Sequence, residues 1–176
     1  MDRIEEAETT LRDPAAVMLP HNPVGRVPAL LLEDATTLTE TTLVLSWLDR
    51  MGSAPRMLPE DASGMAAYGR VLGLLDGIAV WNREMRRPEH ERSPGVIALE
   101  EIRATRLADA LERDVAAGGF TGLDAGFLAL AAVLGYGERR HTVWRWREGR
   151  PSLSAWFSAA AARPAFQETL PPLSGI

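Results

Sequence analysis

Two pairs of residues in the first quarter of the chain have types and spacing suited to ligand binding: Val27 with Pro28, and Glu40 with Thr41. Proline has no N–H and is kept out of the middle of a β-ladder, yet the first position of a strand tolerates it. Here it leads straight into the apolar run "VPALLL". In a cis Val27–Pro28 bond the N–H and C=O of Val27 would turn toward a groove, where an extended peptide could pair with them. Composition alone favours trans, since only about one X–Pro bond in twenty is cis in folded proteins. Glu40 and Thr41 fall in the first turn of the helix that follows. A hydroxyl, unpaired N–H groups and the partial positive charge of a helix start suit a small carboxylate, and Glu40 suits an ammonium. The competing reading of the pair is plain helix capping.

Composition removes several other chemistries. The 176 residues include no cysteine, which excludes disulfides, thiolate metal ligands and a cysteine nucleophile, and three widely separated histidines argue against a metal site. A formal net charge of -5 predicts no general affinity for nucleic acid or anionic membranes. The stretch "HTVWRWREGR" alternates Trp144 and Trp146 with Arg145 and Arg147, a pattern that suits base stacking and phosphate contact. A packed helix with solvated arginines accounts for it better on an acidic chain. The opening "MDRIEEAETT" is acidic where a signal peptide needs a basic and then apolar start, and runs such as "FLALAAVLGY" are too short to span a bilayer, so the cytoplasm is the expected location.

The elements that must carry the two pairs are legible from residue 27 onward. "VPALLL" suits a buried strand, "EDAT" a turn and "TLTE" a second strand, together a hairpin. Thr39 is the expected N-cap of a helix whose Leu43, Val44, Trp47 and Leu48 form one apolar face. Residues 1–20 fit helix and strand equally, with Ile4, Ala7 and Leu11 at helical spacing and Thr9 to Leu11 suited to a strand. "MGSAPRMLPEDASG" reads as an interdomain linker, which sets a first domain at 1–51, a linker at 52–61 and an all-helical domain at 62–176.

In that helical part a helix from about 61 to 87 carries Met65, Tyr68, Leu72 and Leu75 on one stripe and Val71, Leu74, Ile78, Trp81 and Met85 on the next. A second, from about 95 to 117, has Ala104, Leu107, Leu111 and Val115 along one side. Thr121 as N-cap with Asp124 three residues on forms a capping box for a third, apolar nearly all round and expected at the domain centre. Pro151 and Ser152 open a short helix that Pro164 closes.

The stretch "NPVGRVPALLLEDATTLTETTLVLSWLDR" resembles the second half of the thioredoxin-like domain of soluble glutathione transferases, whose pattern is Asn-Pro-x-Gly-(Lys/Arg)-Val-Pro-x-Leu, a turn, Leu-x-Glu-Ser, and a helix ending in Leu-Asp. The linker, the Thr121 to Asp124 box and the closing "RPSLSAWFSAAAARPAFQETLPP" resemble the same family's C-terminal domain. The resemblance implies a partial thioredoxin-like α/β domain followed by an all-α domain, assembled as a homodimer. It implies glutathione as co-substrate, a small electrophile as its acceptor and no metal. Pro28 would be the cis-proline, Val27 the residue whose backbone pairs with the cysteinyl part of glutathione, and Glu40 with Thr41 the pair holding the γ-glutamyl end. Trp81, Arg83 and Met85 sit where the family's helix lines the electrophile pocket, and core packing explains Trp81 and Met85 as well.

Three departures accompany the resemblance. Thr41 stands where serine is usual and keeps the hydroxyl. Ala35 stands where the hairpin commonly has glycine, so the turn is expected to adopt a type without positive φ. "DRIEEAETTL" resembles the family's second strand, while the first strand, the first helix and the catalytic serine, cysteine or tyrosine that precede it have no counterpart in this sequence. The unpaired strand edges this would leave favour a truncated or misplaced start, and no residue inherits the catalytic role. A non-catalytic binding or scaffolding module on the same fold is the alternative.

Overall fold

A computed structural model of the protein describes residues 4–9, 13, 15–53 and 55–173. It divides the chain into two units, Met1–Leu58 and Pro59–Ile176. In the first, β1 (Ala29–Leu31) and β2 (Thr37–Thr39) pair antiparallel with Ala29 opposite Thr39, Leu30 opposite Leu38 and Leu31 opposite Thr37. The Leu32 N–H donates to the Thr36 carbonyl (2.9 Å), the Ala35 N–H to the Leu32 carbonyl (3.0 Å), and the Thr36 N–H to the Asp34 carboxylate (2.9 Å). These bonds close a three-residue loop of the kind that ends on a left-handed residue. That residue is Ala35, at φ 67. The expectation of a turn without positive φ is thereby corrected: the loop length demands the left-handed conformation, and the flanking bonds hold alanine in it.

Helix α1 (Thr41–Met51) follows with Glu40 as N-cap, which corrects Thr39. Thr39 is engaged in the ladder opposite Ala29 and is not free to cap. Val44 is the buried side chain of α1, while Leu43 (62% exposed) and Trp47 (37%) stand open, so the expected apolar face is covered along one strip only. Two strands about 4.8 Å apart are narrower than an apolar helix stripe. At the far end of α1 the Asp49 carboxylate accepts the N–H groups of Met57 (2.7 Å) and Leu58 (3.2 Å), which ties part of the segment expected as linker back to the helix. The Met57 bond is the main reason this carboxyl lies below its ordinary value. Residues 4–9 form neither helix nor strand, and the Leu11 of the helical reading lies outside the described residues.

The second unit is helical throughout: α2 (Ala62–Arg86), α3 (Pro94–Ala116), α4 (Ala125–Arg140), α5 (Pro151–Ala161) and α6 (Pro164–Glu168). Pro164 thus opens a further short helix as well as following the end of α5. Val71, Leu74, Ile78 and Trp81 of α2 meet Ala104, Ala108 and Leu111 of α3 and Leu130, Val133 and Leu134 of α4 in one core. Met65, expected on the buried stripe, is 55% exposed, because it sits in the first turn of α2 beyond the reach of the core. The cap of α4 is Asp124, which accepts the Phe127 N–H at 2.8 Å, and the exposed Thr121 lies ahead of the helix, so the expected box is offset by three residues.

The segment 141–150 is a run of turns, which corrects the expected helix. Freed from helical spacing, Trp144 and Trp146 both enter the core (5% and 1% exposed), so neither indole is available to stack on a base. Arg147 lies over the Trp146 ring at 4.5 Å, and Arg150, 8% exposed, donates to Asp109 (2.8 Å) and to the carbonyls of Trp146 (3.0 Å) and Glu148 (3.1 Å). A Cβ on Gly137 would lie 2.8 Å from Trp144 Cε3 and 3.3 Å from Trp146 Cδ1, so a glycine in α4 admits the two indoles.

Two stability measurements follow from this packing. Gly137→Ala forces one or both indoles off their seats and lowers the unfolding free energy by about 2 kcal/mol in a urea titration. Ala35→Gly relieves a left-handed alanine but loosens the unfolded chain, for a net gain of roughly 0.5–1 kcal/mol.

Candidate functional site

The hairpin register gathers the two sequence-selected pairs. Ala29 opposes Thr39, so Val27 and Pro28, just before β1, and Glu40 and Thr41, just after β2, lie at the same end of the ladder. The Val27–Pro28 bond is cis, and Val27 is 62% exposed. Glu40 has φ 67 and ψ 122, a conformation that costs a residue with a Cβ about 1–3 kcal/mol and persists only where its surroundings impose it. Here the ladder on one side and the first helical bonds on the other impose it, since the Glu40 carbonyl accepts from both Leu43 and Val44 (3.0 Å each).

What distinguishes this end is the state of the helix start. Asp61 caps α2, Ser93 caps α3 and Asp124 caps α4. The first N–H groups of α5 are taken by Glu112, which reaches from α3 to Ser152 (3.0 Å) and Leu153 (2.6 Å). Burial raises the Glu112 pKa, and these backbone donors with Arg150 overcome that and leave it below the ordinary value. Among the described helices of eleven residues or more, α1 alone has no side chain on its first N–H groups. Those donors, the Thr41 hydroxyl and the exposed Glu40 carboxylate therefore form an open polar corner beside the Val27 backbone.

The loop ahead of Val27 is closed by a residue that sequence reasoning passed over. Asn22 is fully buried; its N–H donates to the Met18 carbonyl (2.8 Å), its carbonyl accepts the Gly25 N–H (3.0 Å), and its Nδ2 donates to the Arg26 carbonyl (2.5 Å). Gly25 stands at φ 63, where glycine is the least strained choice. The available signal was the Asn-Pro-x-Gly turn itself, since asparagine side chains commonly bond the backbone of their own turns.

Of the residues near the end of α2, Trp81 is 4% exposed and meets the His141 ring edge-on at 4.5 Å. Met85 packs against the core, and Arg83 is exposed, lining a shallow recess of about 410 Å³ with Val80, Glu84 and Arg87. His141 is fully buried, with Asn82 Nδ2 at 3.2 Å from its Nδ1. The Asn82 Oδ1 accepts from Tyr136 (3.1 Å) and Arg86 (2.9 Å), so the amide nitrogen faces the ring, Nδ1 is the acceptor and the neutral tautomer carries its proton on Nε2. Burial lowers the His141 pKa from 6.5 to about 4. Among the described residues no group of histidine and carboxylate side chains is arranged to hold a metal.

Comparison with known proteins gives likenesses of family and fold. Residues 2–51 match the family model "Glutathione S-transferase, N-terminal domain". A glutathione transferase family member from Pseudomonas fluorescens Pf-5, solved with bound glutathione, is 25% identical; the match covers 91% of this chain and 82% of that one, with a TM-score of 0.81. A glutathione S-transferase from Methylobacillus flagellatus KT with glutathione bound is also 25% identical, over 95% and 86% of the two chains, with a TM-score of 0.81. One from Methylobacterium radiotolerans JCM 2831, in complex with glutathione sulfonate, is 26% identical over 94% and 82%, with a TM-score of 0.77. No curated protein matches the chain.

The buried imidazole beside Trp81 sets a pH dependence. Between pH 6.5 and about 4 the unfolded chain binds a proton that folded His141 does not, so stability is full above pH 6.5 and declines as pH falls toward 4. Stability measured across this window is expected to fall on the order of 2–3 kcal/mol, and His141→Gln flattens the slope. The depressed carboxylates Asp34, Asp49, Asp61 and Glu112 act in a separate window, below about pH 4.

Proposed function

We propose, for a chain that belongs to the soluble glutathione transferase family, that the corner formed by Val27, Pro28, Glu40 and Thr41 binds glutathione. The observation that carries the reading is the uncapped start of α1, held by the hairpin register beside the exposed Val27 backbone. The first N–H groups of α1 and the Thr41 hydroxyl receive the γ-glutamyl carboxylate, where the helix dipole favours negative charge. Glu40 takes the γ-glutamyl ammonium. The N–H and C=O of Val27 pair with the cysteinyl unit as a strand edge pairs with an extended peptide. Pro28, immediately ahead of β1, has no N–H that would be left unpaired there.

The reaction we propose is attack of the glutathione thiolate on a small electrophile. The thiolate is the nucleophile, so the thiol pKa must come down from about 8.5 toward neutrality. Of the three residues near the end of α2, Arg83 is the exposed one and is assigned the contact with the electrophile, while Trp81 and Met85 pack with the helical core. We assign residues 1–51 to the glutathione-binding domain, 52–61 to a linker and 62–176 to the all-α domain, working as a cytoplasmic homodimer. No helix among the described residues is long and apolar enough to cross a membrane.

Retention on glutathione-agarose, eluted by free glutathione, is the test. The unmutated protein is retained, Thr41→Ser stays retained, and Thr41→Ala binds about three- to tenfold more weakly through loss of one hydrogen bond. Glu40→Ala removes the charge partner of the ammonium and loses about tenfold or more. Passage of the unmutated protein through the column unretained would remove the reading.

A further inference from the structure

We infer that Asn22 is a positioning residue for ligand binding: its buried amide fixes the plane of the Arg26–Val27 peptide and so aims the Val27 N–H outward, at the cysteinyl carbonyl of glutathione. The inference rests on the glutathione reading above and assigns a role to a residue outside the corner itself. A peptide unit is planar, and in the trans form its C=O and N–H point in opposite directions. Among the described residues the cis bond is Val27–Pro28, so the Arg26–Val27 unit is trans. The Arg26 carbonyl is drawn inward by Asn22 Nδ2 at 2.5 Å, and the Val27 N–H on the same plane is directed away from the buried side. Val27 is 62% exposed, and its N–H has no acceptor among the described residues. One inward hydrogen bond therefore sets the direction of one outward donor.

The remaining bonds of Asn22 show that the anchor is stiff. Its own N–H and C=O are both engaged within the loop, to Met18 and from Gly25, so the side chain acts from a fixed backbone. Its Oδ1 is buried without a partner. An apolar side chain of similar size would fill the same space without an unpaired buried acceptor, so what the amide contributes is its donor. The opposite amide orientation would set Oδ1 against the Arg26 carbonyl, two acceptors face to face, which fixes the assignment chemically.

The test combines nuclear magnetic resonance of the Val27 amide with calorimetric glutathione titration, on the unmutated chain and on Asn22→Asp, which keeps the size and loses the donor. In the free protein the Val27 N–H exchanges without protection; on saturation with glutathione its proton moves downfield and becomes protected. In Asn22→Asp the Val27 resonance is displaced in the free state and the downfield move on glutathione is lost. Affinity falls about tenfold, the worth of one mis-aimed hydrogen bond, while the amides of β1, β2 and α1 keep their positions. Affinity within about twofold of the unmutated protein, or an unchanged Val27 response, overturns the inference. If Asn22→Asp fails to fold, the unmutated chain decides: a Val27 N–H already protected without ligand, or unmoved with ligand bound, overturns it. If the unmutated chain does not bind glutathione, the function reading fails separately. The orientation is then judged on the free proteins, where an undisplaced Val27 resonance in Asn22→Asp overturns it and a displaced one sustains it.

Discussion

Three backbone rungs, joining Ala29 to Thr39, Leu30 to Leu38 and Leu31 to Thr37, decide which residues of the first unit share an end of the hairpin. A slip by one residue would turn every strand side chain to the other face and move Glu40 out of line with Val27. The register is closed at the loop by a left-handed Ala35 and leaves β2 at the other end through a left-handed Glu40. The two strained residues bracket a strand of three, and each sits where the chain must change direction at once. Strain of this kind is what permits a helix to start immediately after a ladder, with its N–H groups beside the entry of β1.

The second unit obeys a different constraint. Helix α4 is buried along most of its length, with Leu130, Val133 and Leu134 fully enclosed, and α2 and α5 pack directly against it. Small residues on α4 make room for large partners, as Gly137 does for Trp144 and Trp146. Two polar groups drawn into this interior are held across elements, Arg150 by Asp109 and Asn82 by Tyr136 and the Arg140 carbonyl, and Asn82 is also held by Arg86 one turn along α2 itself. The starts of the longer helices here are satisfied in turn by Asp61, Ser93, Asp124 and the borrowed Glu112, whereas α1 begins without a side-chain cap, and that difference is what the proposed glutathione corner rests on.

Much of the fold was legible because its elements follow simple periods. The hairpin, the α1 span and the three long helices fall close to where apolar spacing and breaker residues put them. The four residues of the proposed corner were legible as types: a proline at a strand start and a polar pair at a helix start. The stretch 141–150 was misread because alternating tryptophan and arginine fits helix and turn alike, and only the core behind it selects turns. The caps were misplaced by one residue at Glu40 and by three at Asp124, since several threonines and aspartates near each start could serve and the ladder or loop chooses among them.

By itself the sequence determined residue types and periods: which stretches can bury an apolar face, where the chain must break, and that Val27 to Thr41 carries a glutathione transferase-like pattern. Tertiary structure alone decided that Asn22 turns inward to the Arg26 carbonyl, that Ala35 and Glu40 accept positive φ, and that α1 begins uncapped beside Val27. The reason is one of range. Propensity and periodicity act between residues a few positions apart, whereas register, burial and the sharing of hydrogen-bond partners are settled between elements that meet only when the chain has folded.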